Sequence, residues 1–183
     1  MLEQQRQEYD VRTGYDQIII MLPTTDWAPN IHPLLVHFPI SILLAATLFD
    51  FIGCIRPSSA FIRDSATWLY CAGGFLTLAA YFSGLDAASG ATVSFEAKPD
   101  VSAHFRWADR TTWFFIFFAS LRLAISFIWQ TTSKWVRVPS FLVSLIGLWL
   151  LIATFELGGR LVFQHGLGVS SVPATGGQWT IER

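Results

Sequence analysis

The chain has 183 residues, of which 52% are apolar and only 14% charged, with a net charge of −1 and a mean hydropathy of +0.46. An average soluble domain carries about 25% charged residues, so this composition predicts a membrane protein. It excludes a general nucleic-acid binder, which needs a basic stripe, and a disordered chain, which lacks apolar residues.

Residues 1–30 read as an extramembrane N-terminal extension. Its opening carries six charged side chains, Glu3, Arg6, Glu8, Asp10, Arg12 and Asp16. A signal peptide needs a basic start followed by an apolar run, so none is predicted. The apolar patch 18–22 is too short to span a bilayer and reads as an interfacial turn, a strand or a contact for a partner subunit. Residues 31–169 form the membrane domain. It holds four apolar stretches, 34–55, 66–85, 111–129 and 138–157, each near the roughly 20 residues that cross a hydrocarbon core. Backbone polar groups in lipid must be paired internally, so all four read as α-helices. The fold class is therefore an all-α integral membrane protein, a four-helix transmembrane bundle. The short connections 56–65 and 130–137 predict two antiparallel hairpins. The middle connection, 86–110, is longer and polar. Pro99 and Asp100 suit a helix start with Asp100 as its cap, so the third helix is expected to begin above the membrane. Residues 170–183 read as an extended polar tail.

Arg56, Arg63, Lys134 and Arg137 lie in the two short loops, opposed there only by Asp64. The positive-inside rule then predicts that these loops face the cytoplasm and that both termini lie on the outer, periplasmic side of a multi-pass membrane protein. Trp27, Trp68, Trp107, Trp113, Trp129 and Trp135 fall near span ends, where aromatic belts sit.

Polar chemistry must come from few residues. The only cysteines are Cys54 and Cys71, with no CxxC or CxxCH, so iron–sulfur clusters, zinc ribbons and covalent haem are unsupported. The four histidines are His32, His37, His104 and His165. With alternating helix direction, all four fall at the predicted outer end. His32 to Asp50 and His104 to Arg122 are both 18 residues, about five helical turns. If the two histidines are level, Asp50 and Arg122 are level about 27 Å deeper, which predicts a structural ion pair between the first and third spans. An unpaired Arg in a span is costly. His32 and His37 are about 140° apart on an ideal helix. Either they serve different ligands, or one is a ligand and the other its hydrogen-bonding neighbour. Neutral imidazoles from facing helices are a natural way to hold b-type haem in a bundle core. Gly73, Gly74, Gly84, Gly158 and Gly159 would open a slot for it, or serve plain helix packing. A carboxylate-rich di-iron site is not expected, because the Glu-x-x-His geometry is missing.

The segments Ile31-His-Pro-Leu-Leu-Val-His-Phe-Pro39 and Gly158-Gly-Arg-Leu-Val-Phe-Gln-His-Gly-Leu-Gly-Val169 resemble a bacterial membrane-protein family, domain of unknown function 2231. The resemblance covers roughly residues 30–169, and Asp50 and His104 also fall where the family pattern has an Asp and a His. Family members typically read Gly-Gly-Glu-Leu-Val-Tyr-Glu-His-Gly-Val-Gly-Val in the last segment. Arg160, Phe163 and Gln164 depart from that, removing two acids and adding a base. The family resembles haem-carrying membrane modules, with relatives joined to Rieske or cytochrome domains, which implies electron transfer.

The leading expectation is a small b-type cytochrome-like subunit. Haem b would sit near the periplasmic face on two or more of His32, His37, His104 and His165, as iron ligands. Arg106, Arg110 and Arg160, at the same level, would neutralise its propionates or be solvated interfacial charges. Electrons would pass to or from another membrane or periplasmic redox subunit, such as a c-type cytochrome. The second expectation is a cofactor-free accessory subunit of a larger respiratory or photosynthetic complex. The third is a quinone or small-molecule site with His37 as donor. An enzyme is not expected, since no nucleophile elbow, P-loop or HExxH is present.

Overall fold

The computed structural model describes residues 30–129 and 134–168. The expected extensions 1–30 and 170–183, with the patch 18–22 and Trp27, lie outside the described residues except for Asn30. Five helices follow in order, α1 (His32–Leu35), α2 (His37–Ile55), α3 (Ala60–Ser89), α4 (Lys98–Trp129) and α5 (Lys134–Phe163). No strand occurs among the described residues. Four spans, His32–Ile55, Ala60–Ser89, Lys98–Ile128 and Trp135–Phe163, are long and apolar enough to cross a membrane.

The first span is interrupted at Val36, which keeps helical dihedrals but divides α1 from α2. Pro39 has no N–H to donate to Leu35, so one rung of the ladder is missing there. The other helices are longer than their apolar stretches. α3 begins at Ala60, six residues before the expected start, because Ser59 caps it: its Oγ accepts from Ile62 N at 3.4 Å. At 30 residues α3 is about 45 Å long, more than the roughly 30 Å of hydrocarbon. Its polar ends therefore stand outside the apolar layer or the helix tilts. α4 starts at Lys98, so Asp100 lies inside the first turn and is not the cap. An acid there still complements the helix dipole.

The helices pack in a ring: α2 on α3, α3 on α4, α4 on α5 and α5 back on α2. α2 and α4 are thus diagonal, as are α3 and α5, and neither diagonal pair makes backbone contact. The centre is filled by Leu43, Ala46, Tyr70, Phe115, Phe118, Ala119 and Leu151. Tyr70 meets Phe118 edge-on with ring centroids 4.9 Å apart. The outside is as apolar as the inside: Phe75 is 68% exposed and Phe117 71%. Such side chains have no place to go in water, but lipid is their solvent.

The two hairpins pack alike, although no repeat is visible by residue identity. Leu43 on α2 fills the space over Gly73 of α3, and on α4 Phe114 together with Phe115, the latter 72 positions on from Leu43, fills the space over Gly147 of α5. His32 lies over Gly84, and His104, again 72 positions on, lies over Gly158. What recurs is a large residue set against a glycine, which requires a size match and not a shared sequence.

Candidate functional site

One end of the bundle gathers His32 and His104 from diagonally opposed spans. Asn30 holds the start of α1, its Oδ1 accepting from His32 N at 3.2 Å. The His32 ring rests on Gly84, where an added Cβ would stand 3.0 Å from His32 Cε1. The His104 ring rests on Gly158 in the same way, at 3.1 Å. Both imidazoles are half-buried.

Their hydrogen bonds define their proton positions. Ser83 Oγ donates its one proton to Ala80 O at 2.8 Å. It can therefore only accept from His32 Nδ1, 2.9 Å away. His104 Nδ1 lies 3.2 Å from the carbonyl oxygen of Thr154, which is an acceptor only. In their neutral forms both rings carry the proton on Nδ1 and keep the lone pair on Nε2. The described residues place their closest hydrogen bonds on Nδ1 of each ring, and the His32 ring also reaches the backbone of Ala80. An Nδ1–H bonded to a carbonyl or hydroxyl is the usual support behind a metal-ligating histidine.

The other two histidines are placed differently. His37 is exposed, on the far side of the break at Val36. It does not join His32, because five residues of nearly regular helix turn it away from the bundle. His165 follows α5 and donates from Nε2 to Asp100 Oδ2 at 2.8 Å. Its chain position is made by a helix stop: Gly166 N bonds Val162 O at 3.0 Å and Leu167 N bonds Leu161 O at 2.9 Å. The first of these is the bond of an αL cap, and it goes with φ 63° at Gly166, a value open to glycine at little cost. Gly168, at φ 80°, then brings the chain against Pro33 at the start of α1. The two sequence segments singled out by resemblance thus meet in space.

The arginines expected to flank a cofactor do not converge on His32 and His104. Arg106 and Arg110 are exposed, with Arg110 over the Trp107 ring at 5.4 Å. Arg160 is paired with Glu156 on its own helix at 2.6 Å. Helix phase explains this, since Arg106 is two residues from His104 and so on nearly the opposite face. Sequence reasoning passed over Ser83 and Thr154, whose signal was a small polar residue inside an apolar span. It read Asp100 as a cap and had no means of joining it to His165, 65 residues away.

The opposite end holds a second polar centre. Arg122 Nη1 donates to Asp50 Oδ2 at 2.6 Å and to Ser140 Oγ at 2.6 Å, and Nη2 reaches Thr67 Oγ1 at 3.3 Å. The guanidinium also lies over the Tyr70 ring at 4.9 Å. The arginine and aspartate side chains are only 10% and 9% exposed. The pair crosses the diagonal between α2 and α4 through the middle of the bundle.

Among the described residues, no three His, Cys, Asp or Glu side chains come together as a metal centre. Four apolar spans in a ring, with two histidines at one end and a buried ion pair at the other, define a small integral membrane protein. The family described as "Predicted membrane protein (DUF2231)" matches residues 28–171, and the chain belongs to that family. No curated protein and no solved structure matches the chain.

Proposed function

We propose that the histidine end binds one b-type haem, with His32 and His104 as its axial ligands, and that the protein is an electron-transfer subunit. The observation that carries this reading is the shared tautomer. Each Nδ1 is tied to the neighbouring helix, and each Nε2 keeps its lone pair. Two imidazole nitrogens are what a haem iron takes from protein, whereas a bare transition-metal ion takes three or four ligands. When bound, the group supplies reversible one-electron chemistry at iron. The chain's own part is to hold both rings: Ser83 and the Thr154 carbonyl orient them, and Gly84 and Gly158 let them lie close to the facing helices. The His165–Asp100 pair anchors the segment after α5 beside this end and does not ligate.

By the positive-inside rule, Arg56, Arg63 and Arg137 at the opposite end put that end in the cytoplasm and the histidine end towards the periplasm. In a bacterial inner membrane the redox partner would then dock at the histidine end, as a membrane or periplasmic subunit such as a c-type cytochrome. The test is a reduced-minus-oxidised absorption spectrum of the full chain purified with haem supplied during expression. Bands of a bis-histidine haem are expected, lost in His32→Ala and His104→Ala and kept in His37→Ala. A colourless, folded protein, or bands that survive the His32→Ala/His104→Ala double change, would overturn the reading. The colourless result would leave a cofactor-free accessory subunit.

A further inference from the structure

The arginine end holds more donors than its acceptors use. Three guanidinium groups, Arg63, Arg122 and Arg137, line one cavity between the four spans. Asp50 is the only acid that lines it, and Asp64 accepts from Arg63 Nε at 2.7 Å. Three positive charges thus face two negative ones. Arg137 Nη1 is held by the backbone oxygen of Pro57 at 2.5 Å. The Nε atoms of Arg122 and of Arg137 are buried and have no hydrogen-bond partner among the described residues. A buried guanidinium N–H without an acceptor is costly, and the remedy is an added acceptor that also carries the missing negative charge.

The cavity has the shape and lining for one. It offers about 60 Å³ to the centres of water-sized molecules, room for about four waters, which suits a tetrahedral oxyanion and is too small for a nucleotide. Ser59, Ser126 and Ser140 add hydroxyl donors to the three arginines. Arginine forks match phosphate oxygens in pairs. We infer that this cavity binds a single phosphate group between the four spans, from a free anion or from the headgroup of an anionic lipid. Basic pockets between membrane helices on the cytoplasmic side commonly take such headgroups.

The full chain in a neutral detergent is titrated with inorganic phosphate, and separately with phosphatidylglycerol in mixed micelles. Thermal unfolding is followed by intrinsic fluorescence, against sodium chloride at equal ionic strength and against phosphatidylcholine. Either phosphate or phosphatidylglycerol is expected to raise the unfolding temperature beyond its control. A shift with phosphate assigns a free-anion site, and a shift with phosphatidylglycerol alone assigns a lipid headgroup site. Arg63→Gln and Arg137→Gln should each weaken the apparent affinity about tenfold, the loss of one charge-assisted hydrogen bond. These two residues are chosen because Arg122→Gln removes the partner of Asp50 and is expected to impair folding. No shift beyond the controls with either probe, or an equal shift in the Arg63→Gln/Arg137→Gln double variant, would overturn the inference.

Discussion

The two ends of the bundle use the same geometry with different chemistry. At both ends a residue of the first span has a counterpart 72 positions later on the third span, His32 with His104 and Asp50 with Arg122, but only the second pair is bonded across the diagonal. At the lower end the partners carry opposite charges and satisfy each other at 2.6 Å. At the upper end they are alike, and like imidazoles with the same tautomer cannot bond through their unprotonated nitrogens. Each is bonded on one side to a neighbouring helix and keeps a lone pair on the other. One pair is closed and holds the bundle together; the other leaves two lone pairs for a third party. A backbone repeat decides which residues face one another, and residue type decides whether the facing atoms are used up.

Breaking the closed pair should have the largest effect. Arg122→Met leaves Asp50 buried without a partner and is expected to cost about 3–5 kcal/mol, read as lost thermal stability in detergent. Exchanging the two, Asp50→Arg with Arg122→Asp, should recover most of the loss. If the exchange behaves no better than either single change, the ion pair is not what joins the first and third spans.

A smaller change should separate the two histidines. Ser83→Ala removes the acceptor of His32 Nδ1–H and is expected to cost about 1 kcal/mol. It should also mix the tautomers of His32, seen in the ring nitrogen shifts by NMR. His104 should be unmoved, because its acceptor is a backbone carbonyl that no side-chain change removes. Matching shifts at both rings would mean that the two are not held independently.

The smallest effect is expected at the surface pair Arg160–Glu156, whose side chains are 48% and 62% exposed. Glu156→Gln should change stability by less than about 0.5 kcal/mol. A loss approaching that of Arg122→Met would show that this pair, and not the diagonal one, carries the stability.

Length and level were legible in the sequence, and azimuth was not. Apolar runs of about 20 residues set the number of spans, because lipid admits only internally bonded backbone. The constant rise per residue set the depth of each polar group, so the two spacings of 18 already put Asp50 level with Arg122. The helix starts were missed by several residues where polar first turns, such as the one behind Ser59, hide the continuation of a helix. The exclusion of His37, the bond from His165 to Asp100 and the outward turn of Arg106 all depend on how each helix is rotated about its axis.

Rotation is decided by which side chains fit which gaps. Leu43 fits over Gly73 and Phe115 over Gly147, as the rings of His32 and His104 fit over Gly84 and Gly158. Hydropathy carries little of that information here, since the spans are apolar on every face and either solvent, lipid or core, would accept them. From its sequence alone this protein was a four-span membrane bundle with its polar groups at two levels. Packing against small residues then chose which two histidines turn to a neighbouring helix and which charges are paired.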